Sequence, residues 1–108
     1  MSAFAFDTPA RLESMTLARE QSETFEMTIL DEDGDPVAVA DGANVTFELA
    51  GREYDRLTVG DGIAVADGNV ATVTIDASRL PFPATFTVTY RWTDPNERSA
   101  IQELTVSP

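Results

Sequence analysis

A chain of 108 residues, 43% of them hydrophobic, bounds the protein to one domain with a single core. Nineteen acidic residues face seven basic ones, all arginine, and the formal charge of −12 excludes the basic face that nucleic acid requires and opposes an anionic membrane surface. Lysine, histidine and cysteine are absent, which excludes disulfides, the usual His- and Cys-dependent catalysis and soft metal ligands, and leaves the redox compartment open.

The first eleven residues stand apart. Phe4 and Phe6 alternate with Ala3 and Ala5 before Asp7-Thr8-Pro9 breaks the segment. The segment has no basic n-region or long apolar h-region, and no apolar run in the chain approaches the roughly 18 residues of a spanning helix. It reads either as a frayed terminus or as an arm docked on a neighbouring subunit or along the domain's own edge strand. In the docked form Phe4 and Phe6 are the anchors, and Arg11 completes the partner-binding set. The expected division is therefore an arm over 1–11 and a β domain over 12–108, with no further domain following Pro108.

From residue 14 onward, period-two alternation predicts strands. A first strand covers Ser14–Ala18 with Met15 and Leu17. In the next, Phe25, Met27 and Ile29 oppose Thr24, Glu26 and Thr28. Val45, Phe47 and Leu49 alternate with Asn44, Thr46 and Glu48. A short strand is expected at 63–66, and Ala71, Val73 and Ile75 alternate with Thr72 and Thr74. Asp76-Ala-Ser-Arg-Leu80 suits one helical turn that Pro81 stops. Phe86, Val88, Tyr90 and Trp92 form the clearest apolar row, which assigns Trp92 to the core. The last strand, near 99–106, carries Leu104 and Val106, with Ile101 out of phase as at a bulge or an edge. Asp33-Gly34-Asp35-Pro36, Asp41-Gly42, Asp61-Gly62, Asp67-Gly68-Asn69 and Asp94-Pro95-Asn96 supply the turns, and hairpins are expected at 63–66/70–76 and 84–93/98–106. About seven short strands at this spacing describe an all-β fold, an antiparallel immunoglobulin-like β-sandwich with a short N-terminal arm.

Candidate chemistry is sparse. Asp31-Glu-Asp-Gly-Asp35 has carboxylates at alternating positions, but an EF-hand loop needs Gly sixth and Glu twelfth, where this chain has Pro36 and Gly42. An acidic hairpin turn is the ordinary reading, with a surface cation on it as the alternative. Paired carboxylates could serve a glycosidase, yet the acidic residues fall on turns and polar strand faces, where solvation explains them. Gly60-Asp61-Gly62 leads into a strand and so lacks the context of a phosphate loop. Asn44-Val45-Thr46 fits the N-glycosylation pattern. Thr85, Thr87 and Thr89, with Thr72 and Thr74, form either a solvated β face or a flat surface for another protein. Arg52, Arg56, Arg79, Arg91 and Arg98 could pair with acidic patches on neighbours. No cofactor and no metal site is expected. A carboxylate-coated surface without lysine suits a halophilic or marine setting, or reflects a GC-rich genome.

The order of these signals resembles the small immunoglobulin-like β-sandwich domains of tailed-virus particles, among them the N-terminal domains of baseplate upper proteins and head-decoration proteins. The residues that carry it are Leu17-Ala-Arg-Glu-Gln-Ser-Glu-Thr-Phe25, Asp31-Glu-Asp-Gly-Asp-Pro-Val37 followed by Ala43-Asn-Val-Thr-Phe-Glu-Leu49, the hairpin from Gly62 to Ile75, and the close from Phe86 to Val106. Baseplate proteins of this type continue into further domains, so the resemblance implies a capsid decoration, cement or turret component, or a small tail accessory protein. It implies a non-enzymatic virion protein, homo-oligomeric or lattice-bound, whose partners are the major capsid protein or tail proteins. A carbohydrate- or receptor-binding module, with Tyr54 as its aromatic, is the rival reading, and a carboxylate hydrolase is a third.

Overall fold

A computed structural model describes residues 2–5, 10–30, 33–92 and 99–108. The fold is all-β. Its strands are β1 (Ser2–Ala5), β2 (Ala10–Arg11), β3 (Met15–Ala18), β4 (Ser22–Leu30), β5 (Asn44–Leu49), β6 (Arg52–Val59), β7 (Gly62–Ala66), β8 (Val70–Asp76), β9 (Thr85–Arg91) and β10 (Ser99–Ser107). One sheet holds them in the order β1-β4-β8-β7-β6-β5-β9-β10-β2, and β3 follows β2 along the same side of β10.

The sheet is mixed, which corrects the expectation of a purely antiparallel one. β1 runs parallel to β4, β2 and β3 run parallel to β10, and β6 meets β7 in a short parallel contact. For β1, β2 and β3 the cause lies in the N-terminal segment. Its strands join β4 and β10 from outside instead of forming hairpins with them, so nothing forces them antiparallel. The central ladders β4–β8, β7–β8, β5–β6, β5–β9 and β9–β10 are antiparallel. Among the described residues ten strands stand where about seven were expected, the additions being β1, β2 and β6.

The sheet curls round a single core. The rings of Phe25 on β4 and Tyr90 on β9, far apart in strand order, meet edge to face at 6.4 Å. β1 and β2 occupy opposite ends of the order, yet only four residues separate them, at most roughly 18 Å of chain. The fold turns over at the β6–β7 corner, where Thr58 pairs with Gly62 and Val59 with Ile63. Gly60 and Gly62 take positive φ there, 95° and 90°. A Cβ on Gly62 would lie 2.7 Å from a Leu57 methyl, so the corner demands glycine for conformation and for space.

Alternation builds the interior as the sequence suggests. Ala71, Val73 and Ile75 from β8, Phe86, Val88 and Tyr90 from β9, Leu104 and Val106 from β10, and Val45 and Phe47 from β5 share one buried cluster with Trp92. Asp67 and Gly68, both at positive φ, close the expected β7–β8 hairpin. The expected turn after Ile75 is a 3₁₀ turn over Ala77–Arg79, with the Asp76 carboxylate accepting from the Ser78 N–H. The β9–β10 hairpin is present, and its turn at 94–96 lies outside the described residues.

Ile101 marks no bulge. The β9–β10 register is unbroken from Ser99↔Arg91 to Thr105↔Thr85, and the inward position belongs to Gln102. Tyr90 donates its hydroxyl to Gln102 Oε1, and Gln102 Nε2 donates to the Glu13 carbonyl at 2.8 Å. Burial pushes the Tyr90 phenol well above its ordinary range, so it stays a neutral donor. A polar side chain thus fills a core position because its partners are built in. It ties the segment ahead of β3 to the last strand. Among the described residues no helix is long and apolar enough to cross a membrane.

Candidate interaction surface

The side-chain arrangements with the most chemistry gather round β6. This strand, Arg52-Glu-Tyr-Asp-Arg-Leu-Thr-Val59, buries only Leu57. Its register with β5 slips between Phe47 and Glu48: Phe47 faces Asp55 and Glu48 faces Glu53, so Tyr54 is the extra residue of a bulge. The bulge turns the Tyr54 ring against Phe82 and Phe86, at centroid distances of 5.4 and 5.9 Å and both edge to face. Phe82 in turn stacks on Phe86 at 5.9 Å. The Arg52 guanidinium lies 5.1 Å over the Tyr54 ring. Tyr54 is therefore closed by Arg52 on one face and by phenylalanines at its sides. Phe82, 38% exposed, is the most exposed aromatic of this cluster, with Tyr54 half-buried and Phe86 fully buried.

Directly opposite residues of an antiparallel pair share a face, so Asp55 takes the core side with Phe47. Its carboxylate, 15% exposed, is compensated by Arg79. Arg79 Nη2 donates to Asp55 Oδ1 at 3.0 Å, Nη1 donates to Asp61 Oδ1 at 3.1 Å, and Nη2 also reaches the Arg56 carbonyl. The 3₁₀ turn presents this guanidinium, held by the buried Ala77 and Leu80 and by a bond from the Ala77 N–H to the Gln21 carbonyl. Arg79 thereby ties the turn, β6 and the β6–β7 corner together. Close by, Arg56 makes a forked pair with Glu53, at 2.8 and 3.1 Å. That fork holds the Glu53 carboxyl below the usual range, and the Ser78 hydroxyl and N–H do the same for Asp76. Both shifts run opposite to what a general acid needs.

The outward face of β6-β5-β9-β10 follows from register. Arg56, Thr46, Thr89 and Ile101 form one row, and Glu53, Glu48, Thr87 and Glu103 the next. Arg91 lies across the first of these rows. Its Nη1 donates to Thr46 Oγ1 at 2.9 Å and to Asn44 Oδ1 at 3.4 Å, which buries both side chains on an outer face. The Asn44 amide also donates to the Gly42 carbonyl at 3.1 Å. Asn44 does sit on the polar side of its strand, and its side chain is buried and hydrogen-bonded there. The threonine face is laced across strands: Thr85 with Thr105 and Thr24 with Thr74, both at 3.0 Å.

Of the residues singled out as partner-binding, Phe4 lies in β1 opposite Ile29 and Arg11 in β2 opposite Ile101, at opposite ends of the strand order. Phe6 is outside the described residues, as are Asp31, Glu32 and Arg98. Asp33 and Asp35 are exposed, and among the described residues no group of three or more acidic side chains is placed to hold a metal ion. Two of the arginines expected to reach neighbours, Arg56 and Arg79, close on carboxylates of their own chain. The sequence reading missed the Arg79–Asp55–Asp61 group and the Tyr54–Phe82–Phe86 cluster. The available signal was the density of charge in 52–61 followed by Pro81-Phe82-Pro83. No protein-family model matches the chain, and a search of curated proteins finds no match to it. The resemblance to tailed-virus domains rests on the residue pattern alone.

Proposed function

We propose that this chain is a non-enzymatic structural protein, an immunoglobulin-like β-sandwich that joins other proteins in repeated copies. Its most concrete form is a capsid decoration, cement or turret component of a tailed-virus particle, with a tail or baseplate accessory role as the alternative. On this reading its partners are the major capsid protein or tail proteins and its location is the virion.

The observation that carries the proposal is the placement of the N-terminal segment. Its two short strands run along the outside of β4 and β10. A closed block with an edge-bound arm is suited to lattice attachment, because many weak contacts in a symmetric array give avidity without a large interface per copy. The acidic surface and the arginine forks that close within the chain fit a rigid, well-hydrated block. The carbohydrate reading draws less support from Tyr54, since the Arg52 guanidinium stacks on its ring.

The test is incorporation. Particles released by cells that carry the gene are labelled with an antibody to this chain and imaged, and the expected label occupies a symmetric set of positions. A variant lacking residues 1–11 is expected to keep its β-sheet circular dichroism and to lose particle binding. Absence of label from particles overturns the virion assignment, and unchanged incorporation of the deletion overturns the arm as anchor.

A further inference from the structure

The tip of β4 is built differently from the rest of the sheet. β4 pairs with β8 from Ser22↔Asp76 only as far as Met27↔Ala71. There β1 takes over on the other side, from Ser2↔Met27 to Ala5↔Leu30. Residues 28–30 of β4 thus overhang β8, and their ladder partner among the described residues is a four-residue parallel strand. Parallel ladders are slightly weaker per residue than antiparallel ones, and a two-stranded ribbon is marginal in water. This ribbon also belongs to the segment whose continuation, β2, is fixed at the far end of the strand order by Ala10↔Ala100 and Arg11↔Ile101. Four residues, Phe6-Asp-Thr-Pro9, connect the two.

We propose that β1 exchanges between two copies of this chain, residues 2–5 of one lying on β4 residues 27–30 of the other. The occupant of the edge is a second copy because the segment whose register fits it is this chain's own. The same four pairs form whether the strand comes from the same chain or from its twin, so exchange conserves every ladder bond. A twofold arrangement lets both copies donate and accept at once. A short connection between an exchangeable strand and a fixed one favours exchange over self-pairing. The charge of −12 on each copy opposes the approach at low ionic strength, so salt should promote the exchanged form. The inference does not depend on the virion reading: a dimer could form whether or not the chain joins a particle.

The absence of cysteine makes the test direct. Ala3 and Thr28 are register partners, and the ordinary spacing of paired strands, about 4.8 Å, falls in the Cα range a disulfide spans. An Ala3→Cys chain and a size-tagged Thr28→Cys chain are unfolded, mixed, refolded together and oxidised, then resolved without reductant. The expected product is the covalent heterodimer, in clear excess over both homodimers and over a control pair of Ala3→Cys with Ser78→Cys. Light scattering on the unmodified chain is expected to give a dimer that becomes a monomer when residues 2–5 are deleted. A heterodimer no more abundant than the control overturns the proposal. So does a chain carrying both cysteines that closes only within monomers, and so does one that closes in neither way.

Discussion

β9 and β6 flank the same strand, β5, and are held by different forces. β9 presents Phe86, Val88 and Tyr90 inward, all fully buried, with threonines on the other side. β6 buries Leu57 alone and carries charge on much of the rest. What β9 gains from apolar burial β6 replaces with its ladder to β5, the single Arg79 bond to Asp55, the Arg56–Glu53 fork and the Arg52–Tyr54 contact. Non-directional burial tolerates solvent and salt, whereas the charged contacts are individually small and screened. The difference teaches that one side of β5 is set by the core and the other by surface chemistry.

The largest test of that contrast is Phe86→Ala. The ring is fully buried and supports both Tyr54 and Phe82, so its loss should cost about 3–5 kcal/mol in urea unfolding. Tyr54→Ala, which empties the half-buried site on β6 against the same ring, should cost roughly half as much. Equal losses would mean that β6 is as deeply embedded as β9 and would erase the distinction. Next in size is Gly62→Ala at the corner where β6 gives way to β7. Positive φ and the approach to Leu57 together should cost about 2 kcal/mol. Gly68→Ala, also at positive φ but with open space round the new Cβ, should cost less in the same denaturant series.

The same contrast explains what was legible in the sequence. The strands with alternating apolar rows announced themselves, most plainly β8 and β9, where one side faces the core and the other does not. β6 was illegible because its bulge at Tyr54 breaks the period and charged groups stand in for a core face. For β1 and β2 docking along an edge strand was one of the readings, but which edge and the parallel sense were not legible, because such pairing depends on what lies beside the strand and leaves no local pattern. Ile101 misled for a related reason. The polar Gln102 holds the inward position through Tyr90 and Glu13, two partners that no window of sequence brings together. Of the candidate site, the arginines were visible as residue types, but their partners Asp55 and Asp61 were not, since those contacts cross 24 and 18 positions.

Arg79→Gln should have a smaller effect than either core change and a more specific one. It leaves the Asp55 carboxylate, on the core side of β6, without its cation, at a cost of about 1–2 kcal/mol. Replacing Asp55 by Asn in the same chain should recover part of the loss, because the uncompensated charge is then gone. Strictly additive losses in that double-mutant cycle would show the pair to be uncoupled, and β6 would need another explanation for its position.

Arg56→Gln probes the weakest of these contacts. The pair with Glu53 is exposed on both sides, so the loss at neutral pH should stay within about 0.5 kcal/mol. Its signature is in the pH dependence. Arg56 lowers the folded pKa of Glu53 below the unfolded value, so the pair's contribution is fully present above the ordinary carboxylate range, near pH 4. It is lost as pH falls through the lower folded value. Wild type and Arg56→Gln should therefore differ in melting temperature at pH 7 and converge as the buffer is taken below pH 4. Asp76, lowered by Ser78, titrates over the same window in both proteins and cancels in the comparison. Relief of the −12 charge acts against these losses on acidification, and it too is common to the two chains to within one unit. A gap that persists unchanged into acid would assign the effect of Arg56 to the packing of its methylene stem, and β6 would then lean more on burial than its charges suggest.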